Sequence, residues 1–189
     1  MLNVLLVEKE LESDSLESAL KGHGFELLKI QYDPQFIEIV KDTSPDVIIF
    51  NLETPSNRLI SDLHRLDQEQ PLPVIIFAND GSIDTINKIT KAEVSTYIVD
   101  GLVSQRVNTI IQIAVARFKH KQALRQSLED ARTQLEDRKQ IDRAKAILIK
   151  TQNFTEDHAY HTLRKLAMDR NITLGEMARN VIAMAELLK

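Results

Sequence analysis

The chain has 189 residues, no cysteine and a formal net charge of −4 at pH 7. This length accommodates one medium-sized domain with a smaller element, and the absence of cysteine excludes disulfides and fits a reducing cytoplasm. No apolar run approaches the roughly twenty residues that span a bilayer, and the N-terminal residues lack a signal-peptide pattern, so we predict a cytoplasmic protein that does not enter a membrane.

The charge is distributed unevenly along the chain. Residues 1–116 carry nine Lys and Arg against eighteen Asp and Glu, whereas residues 117–189 carry fifteen against ten. An acidic front half with a basic back half indicates a nucleic-acid-binding segment attached to a regulatory body. Charge alone is weak support, since solvated helices are often basic.

Short apolar runs alternate with helix-length segments over residues 3–116. The runs predicted as strands are NVLLV at 3–7, DVIIF at 46–50, PVIIF at 73–77 and STYIV at 95–99. Nearly continuous apolar runs are typical of strands that are buried on both faces. Because helix-length spacers separate them, we predict βαβ units and a parallel sheet with right-handed crossovers.

This front half resembles the response-regulator receiver domain, an α/β flavodoxin-like fold with a five-stranded parallel sheet. The resemblance rests on four segments: LLVEKE, PDVIIFNLETP, VIIFAN and YIVDG. It places the domain at residues 1–118. It also implies a phosphorylation site at the carboxyl ends of the strands, where ligands bind in such sheets.

The residues at the implied phosphorylation site are Glu8, Lys9, Asn51, Ala78 and Asp100. Glu8 keeps one acid, but Lys9 stands where the family has a second metal-binding carboxylate. Asn51 replaces the phosphoacceptor aspartate, Ala78 the hydroxyl residue and Asp100 the lysine. An amide lacks the anionic oxygen that forms an acyl phosphate. We therefore predict a degenerate receiver, a pseudo-receiver.

The ammonium of Lys9 would repel a magnesium ion. We predict that it pairs with Glu8, Asp100 or both, in place of the divalent ion. The alternative is a working receiver whose register is shifted by one residue, which the prolines around the strand at 46–50, Pro45 and Pro55, oppose.

A long helix is predicted after the receiver-like segment, because residues 107–148 contain no Pro or Gly and many good helix formers. One heptad seam carries Ile110, Ala114, Leu124, Leu128, Ala131 and Leu135, with Arg117, Lys121 and Arg138 as interruptions. A seam so interrupted does not strongly specify a dimer. We predict a coiled-coil linker helix over residues 119–136 that pairs two chains, with a helix folded back on its own domain as the alternative.

Residues 137–189 have the pattern of three amphipathic helices, which predicts a three-helix bundle. Thr155 precedes first-turn carboxylates and is a predicted N-cap. Asn171 is a predicted helix end, since Asn tolerates the left-handed conformation. Thr173 and Glu176 have the spacing of a capping box.

This C-terminal segment resembles the ANTAR domain, an RNA-binding antiterminator module of bacterial regulators. The matching residues are Ile141, Ala144, Lys145, Leu148, Ala159, Tyr160, Leu163, Arg164, Ala167, Met168, Leu174 and Ala178. Ala146 and Ile149 depart from the family, which commonly has Gly and Met there. We expect both to be conservative packing changes, with the alternative that Ala146 alters how closely another molecule approaches this helix.

The resemblance narrows over nearly the whole chain to nitrate- and nitrite-responsive antiterminators of the NasT type. It rests on VDGL at 99–102, the RVNTIIQIAVARF that follows and LRKLAMDRN. It implies a partner, a cytoplasmic nitrate- or nitrite-sensing protein of the NasS type, which holds the antiterminator inactive until its ligand arrives.

We therefore predict an RNA-binding transcription antiterminator that binds hairpins in nascent leader mRNA. The candidate RNA contacts are Arg138, Lys139, Arg143, Lys145, Lys150, Arg164, Lys165 and Arg179. They would neutralise phosphates or, for arginine, stack on loop bases. Lys145 and Arg164 are favoured because they lie at matching positions.

Two other functions remain open: a DNA-binding transcription factor with the same front end, and a signalling adaptor that binds no nucleic acid. No catalytic residue, cofactor or metal site is predicted. His158 and His161 lie three residues apart, but no third ligand is nearby in the sequence. No glycine loop that would cradle a phosphate is present either.

Overall fold

A computed structural model describes residues 2–8, 14–100 and 104–187. The chain divides into two compact units, an N-terminal unit over residues 1–122 and a C-terminal unit over residues 123–189. Each unit is considered by itself below.

The N-terminal unit is built on a five-stranded parallel sheet. Its strands are β1 (Asn3–Glu8), β2 (Glu26–Gln31), β3 (Val47–Leu52), β4 (Val74–Ala78) and β5 (Thr96–Val99). They lie in the order β2-β1-β3-β4-β5, and every pairing is parallel. The predicted flavodoxin-like α/β architecture is confirmed.

Helices connect these strands and cover both faces of the sheet. They are α1 (Asp14–Gly22), α2 (Phe36–Thr43), α3 (Asn57–Glu69) and α4 (Ile83–Lys91), and a 3-10 turn at Ser104–Arg106 leads into α5 (Val107–Gln152). The strands β1, β3 and β4 are buried on both faces, as their nearly continuous apolar runs predict.

Helix α5 begins inside the N-terminal unit. Val107, Ile111 and Ala114 are buried in one of its two hydrophobic cores. Lys121 pairs with Asp67 at 3.1 Å and with Glu93 at 2.9 Å. Three early positions of the predicted heptad seam, Ile110, Ala114 and Lys121, therefore contact the chain's own N-terminal unit.

Beyond residue 122 the seam is exposed. Leu124, Leu128 and Leu135 expose 58%, 54% and 58% of their surface. Other described residues thus leave most of these three leucine side chains uncovered. The predicted long helix is confirmed, and its pairing with a second chain remains a prediction.

The C-terminal unit packs the end of α5 against α6 (Glu156–Asp169) and α7 (Leu174–Leu187). The hydroxyl of Thr155 accepts a hydrogen bond from the His158 N–H, and Glu176 and Thr173 form the predicted capping box. Asn171 has a φ of 54°. The buried core consists of Ala144, Leu163, Ala167, Met177, Ala178 and Ile182.

The start of α7 lies very close to α5 at Gly175. A Cβ atom there would overlap the carboxylate of Asp137, which also pairs with Arg179 at 2.6 Å. The absence of a side chain at residue 175 therefore lets Asp137 approach the first turn of α7, where the helix dipole favours an anion.

We expect Gly175→Ala to lower the free energy of unfolding of the C-terminal unit by no more than about 1 kcal/mol, because the new methyl group displaces the Asp137 carboxylate from its exposed pair with Arg179. Urea unfolding followed by circular dichroism measures the change. In an Asp137→Ala background the same substitution should be neutral or stabilising, since alanine has the higher helix propensity. An equal loss in both backgrounds would contradict this explanation.

Candidate functional site

The predicted phosphorylation-site positions lie at the carboxyl edge of the sheet. Glu8 ends β1 and is in register with Asn51 of β3. Ala78 ends β4, and its carbonyl accepts a hydrogen bond from the N–H of Asp100, the residue after β5. The parallel strands therefore bring these four positions to one edge, while Lys9 lies outside the described residues.

Glu8 is the buried centre of this edge, with 2% of its surface exposed. The Asn51 amide nitrogen donates to Glu8 Oε1 at 2.8 Å. The Lys29 ammonium lies 2.9 Å from Glu8 Oε2. Both carboxylate oxygens of Glu8 thus have a polar neighbour. The cation beside Glu8 is Lys29, which belongs to β2.

Lys29 was not among the residues predicted from the sequence. It also contacts Glu17 of α1 at 3.2 Å, and Glu17 pairs in turn with Lys21 at 2.6 Å. The close contact with Glu8 is the main cause that raises the pKa of Lys29, while Lys21 and then Lys29 lower the pKa of Glu17. The signal in the sequence was a lysine between the apolar residues of β2. Its partner Glu8 could not be read from the sequence, because their contact depends on the pairing of β1 with β2.

The chemistry of this edge differs from that of a phosphate-accepting site. Asn51 offers an amide, Ala78 a buried methyl group and Asp100 an exposed carboxylate. Among the described residues, no group of three or more His, Cys, Asp or Glu side chains could hold a metal ion. The described groups provide neither a nucleophile nor a phosphate-binding cation at the positions where the receiver family has them.

A hydrogen-bond network that the sequence did not predict holds the start of α4. Asp80 accepts from the Thr85 hydroxyl at 2.6 Å and from the Ser82 N–H at 2.8 Å. These bonds, the one from Thr85 first, lower the pKa of Asp80. The Tyr97 hydroxyl of β5 donates to the Asp80 carbonyl, so β5 and α4 are joined beside the phosphorylation-site edge.

The C-terminal unit contains the predicted RNA-binding residues, which differ in whether they pair with carboxylates. Lys145 is the most strongly held, with 16% of its side chain exposed. It pairs with Asp142 at 2.8 Å and with Glu156 at 2.9 Å. Asp142, followed by Glu156, raises the pKa of Lys145. Lys145 therefore joins α5 to the first turn of α6.

Two predicted contacts join α5 to α7 through exposed ion pairs. Arg143 pairs with Glu186 at 2.7 Å, and Arg179 pairs with Asp137 at 2.6 Å. Exposed pairs of this kind stabilise a fold only weakly. Both arginines therefore remain able to exchange a carboxylate for a phosphate.

Other predicted contacts have no ion pair within the part of the chain that the structure describes. They are Arg138, Lys150, Arg164 and Lys165, all of which are exposed. Lys139 lies 3.9 Å from Glu136, at the limit of an ion pair. The four unpaired cations are the ones most available to an external anion.

One face of α6 combines an unpaired arginine with exposed large side chains. Tyr160, Arg164 and Met168 recur every four residues and are all exposed, so they lie along one side of the helix. We call these three residues the α6 stripe. Leu163 and Ala167, on the other side, are buried in the core, so the stripe does not take part in core packing.

Ala146 and Ile149 correct one expectation from the sequence. Both are exposed, Ile149 at 39%, so their departures from the ANTAR pattern change the surface and not the packing of the core. Ala146 lies one turn before Lys150 on α5, and its small side chain projects little from the helix surface there.

The comparison with family models concerns the C-terminal unit. Residues 129–182 match the model of the ANTAR domain. The resemblance of this chain to ANTAR-domain response regulators is confirmed. We refer below to residues 129–182 as the ANTAR segment.

Similar proteins are named as regulators. Over 181 residues, 95% of this chain and 88% of the relative, the chain is 26% identical to the transcriptional regulatory protein PdtaR of Mycobacterium tuberculosis. Over 61 residues it is 43% identical to the nitrate regulatory protein of Klebsiella oxytoca, which is 32% of this chain and 15% of that protein.

Solved structures resemble the receiver-like part of the fold. The signal receiver domain of a modulated diguanylate cyclase from Desulfovibrio desulfuricans matches with a TM-score of 0.55 at 18% identity, over 64% of this chain and 98% of that one. The receiver domain of a putative Luxo repressor protein from Vibrio parahaemolyticus also gives 0.55, at 20% identity, over 65% and 96%. These likenesses concern the fold alone.

Within the described residues, no helix has the length and apolar character to cross a bilayer.

We expect the N-terminal unit to remain unphosphorylated when the protein is incubated with acetyl phosphate and magnesium, because Asn51 cannot form an acyl phosphate. Intact mass spectrometry measures the result. A phosphorylatable receiver domain in the same mixture is the control, since it must gain one phosphoryl group. A stoichiometric phosphoryl adduct within residues 1–122 would contradict the degenerate site.

Proposed function

We propose that this chain is a transcription antiterminator whose C-terminal unit binds hairpins in nascent leader mRNA. The observation that carries the proposal is the α6 stripe, an exposed and unpaired arginine between Tyr160 and Met168 inside the ANTAR segment. Hairpin loops present unstacked bases, and arginine and tyrosine planes stack on such bases.

The other exposed cations supply the phosphate contacts. Lys150 and Lys165 carry no ion pair among the described residues, and Arg143 has only an exposed one. Binding a hairpin would stabilise an RNA fold that is incompatible with the terminator, so that polymerase continues. The protein itself needs no catalytic group or cofactor for this action.

The start of α7 argues against a DNA-reading helix. A recognition helix presents its first residues to base edges in the major groove. Here Thr173 and Glu176 hydrogen bond to each other, and Gly175 is buried against α5. This helix start is therefore occupied by contacts within the C-terminal unit.

The degenerate edge of the sheet supports control by a protein contact instead of phosphorylation. The partner we propose is a cytoplasmic nitrate- or nitrite-sensing protein of the NasS type. The NasT-type resemblance and the partial match to a nitrate regulatory protein support this choice. Nitrate assimilation is accordingly the proposed physiological setting.

A second copy of the chain is the proposed partner of the exposed seam on α5. Burying a leucine side chain stabilises by roughly 1.5–3 kcal/mol, and Leu124, Leu128 and Leu135 are all exposed in the single chain. A coiled coil over the linker at residues 119–136 would cover them.

The charges beside the seam favour parallel pairing. Arg125, Arg132 and Lys139 follow one edge of the seam at seven-residue spacing, and the other edge carries Ser127 and Gln134. Antiparallel helices would place basic residues opposite basic residues. Parallel helices place them opposite the neutral edge of the partner, which avoids this repulsion.

We expect Arg164→Ala to weaken hairpin binding by about 1–3 kcal/mol without lowering the unfolding midpoint, since Arg164 lies outside the core. Filter-binding titrations compare wild type and variant on a leader hairpin pair and on duplex DNA of equal length. Affinity for the hairpin should fall steeply as salt rises.

Arg117→Ala is the matched control for that titration, because it removes an exposed arginine from the N-terminal unit. It should leave the RNA affinity unchanged. Equal wild-type affinity for hairpin RNA and duplex DNA would favour the DNA-binding alternative. Absence of any nucleic-acid affinity would favour the adaptor.

We expect Leu124→Cys and Leu135→Cys each to form a disulfide-linked dimer on mild oxidation, because a parallel seam brings identical positions together. The chain has no other cysteine, so non-reducing gel electrophoresis measures the product directly. Glu129→Cys, which lies off the seam, is the control that should stay monomeric on the gel. Crosslinking of Leu124→Cys to Leu135→Cys only in the mixture would indicate antiparallel helices instead.

A further inference from the structure

We propose that Lys29 is a built-in cation of the N-terminal unit, which takes the electrostatic role that a bound divalent ion would have beside Glu8. The proposal goes beyond RNA binding, and its test involves no RNA. It concerns which group balances the buried charge of Glu8 at the carboxyl edge of the sheet.

Glu8 is a buried carboxylate. A carboxylate with 2% of its surface exposed has lost its hydration, and an ionised carboxylate in such a place needs a compensating charge and hydrogen bonds. Asn51 supplies a hydrogen bond to Oε1, and the ammonium of Lys29 lies beside Oε2. A neutral amide alone would leave the charge uncompensated.

The pairing of β1 with β2 positions Lys29 beside Glu8. Strand β2 lies beside β1, with Lys29 in register with Leu6. Leu6 and Glu8 are two residues apart and therefore point to the same face of the sheet. The long lysine side chain spans that separation and brings a positive charge to Glu8. An aspartate or glutamate at the same position of β2 would instead repel the Glu8 carboxylate.

The carboxylates around the Lys29 ammonium are balanced by an equal number of lysines. Lys29 is only 14% exposed and lies between Glu8 and Glu17. Glu17 is also paired with Lys21 on the solvent side. The four side chains comprise two carboxylates and two ammonium groups, so this cluster keeps no net negative charge that would attract a divalent cation.

The consequence is a Glu8 carboxylate whose charge is balanced by a cation of the chain itself. Removing Lys29 should leave Glu8 uncompensated and make the folded unit dependent on an added cation. A simple packing role for the lysine stem would give a different result, since neither the charge of Glu8 nor added metal would then matter.

The test compares full-length wild type with Lys29→Met, which keeps the apolar stem, and with Lys29→Met combined with Glu8→Gln. Urea unfolding is followed with and without manganese chloride, against potassium chloride of equal ionic strength. Lys21→Met is the control, because Lys21 pairs with Glu17 and forms no ion pair with Glu8 among the described residues.

We expect Lys29→Met to lower the ratio of folded to unfolded protein by about a hundredfold to a few thousandfold, since it breaks a buried pair. Adding Glu8→Gln should restore most of that loss. Manganese should raise the unfolding midpoint of Lys29→Met, but not that of wild type, the double variant or Lys21→Met.

Each other result overturns the proposal. If the double variant is no more stable than Lys29→Met, even when both fail to fold, the lysine does not act through the charge of Glu8. If Glu8→Gln rescues the variant but manganese does not, Lys29 forms an ion pair without standing in for a metal. A wild-type response to manganese equal to that of Lys29→Met would show that the cation position is still open.

Discussion

One helix contributes buried residues to a hydrophobic core in each of the two units. The first turns of α5 place Val107, Ile111 and Ala114 in the core of the N-terminal unit, and its last turns place Ala144 in the core of the C-terminal unit. Neither core is complete without it. The length of α5 therefore sets which residues between the cores remain outside them, and these include the exposed leucines.

The two units share a second constraint, which is the pairing of cations with carboxylates. In the N-terminal unit the pair of Glu8 and Lys29 is buried, where a missing partner is costly. In the C-terminal unit the pairs of Arg143 and Arg179 are exposed and contribute little to stability. The same kind of contact is therefore costly to break in one unit and free to exchange partners in the other.

This difference also ranks the basic residues of the ANTAR segment. Lys145 matches the family pattern, yet its two carboxylate neighbours and low exposure give it a structural contact in the single chain. Arg164 matches the pattern too and is exposed without an ion pair among the described residues. Motif position alone does not distinguish the two residues, whereas their surroundings do.

Much of the fold was predictable because its signals are local. The apolar runs of β1, β3 and β4, the N-cap at Thr155 and the capping box of Thr173 each depend on residues within a few positions of one another. The substitutions at Asn51 and Ala78 were equally legible, since the loss of a carboxylate or hydroxyl is a property of the residue itself.

The sequence by itself therefore determined four of the five strands, the long helix, the caps at Thr155 and Thr173, and which residue types stand at the receiver's phosphorylation-site positions. Only the tertiary structure decided that Lys29 meets Glu8, that Gly175 admits Asp137 to the start of α7, and that Ala146 is exposed. The physical reason is that ion pairing and close packing depend on strand register and helix contacts between residues far apart in the chain. Periodicity and capping, in contrast, act along a single segment.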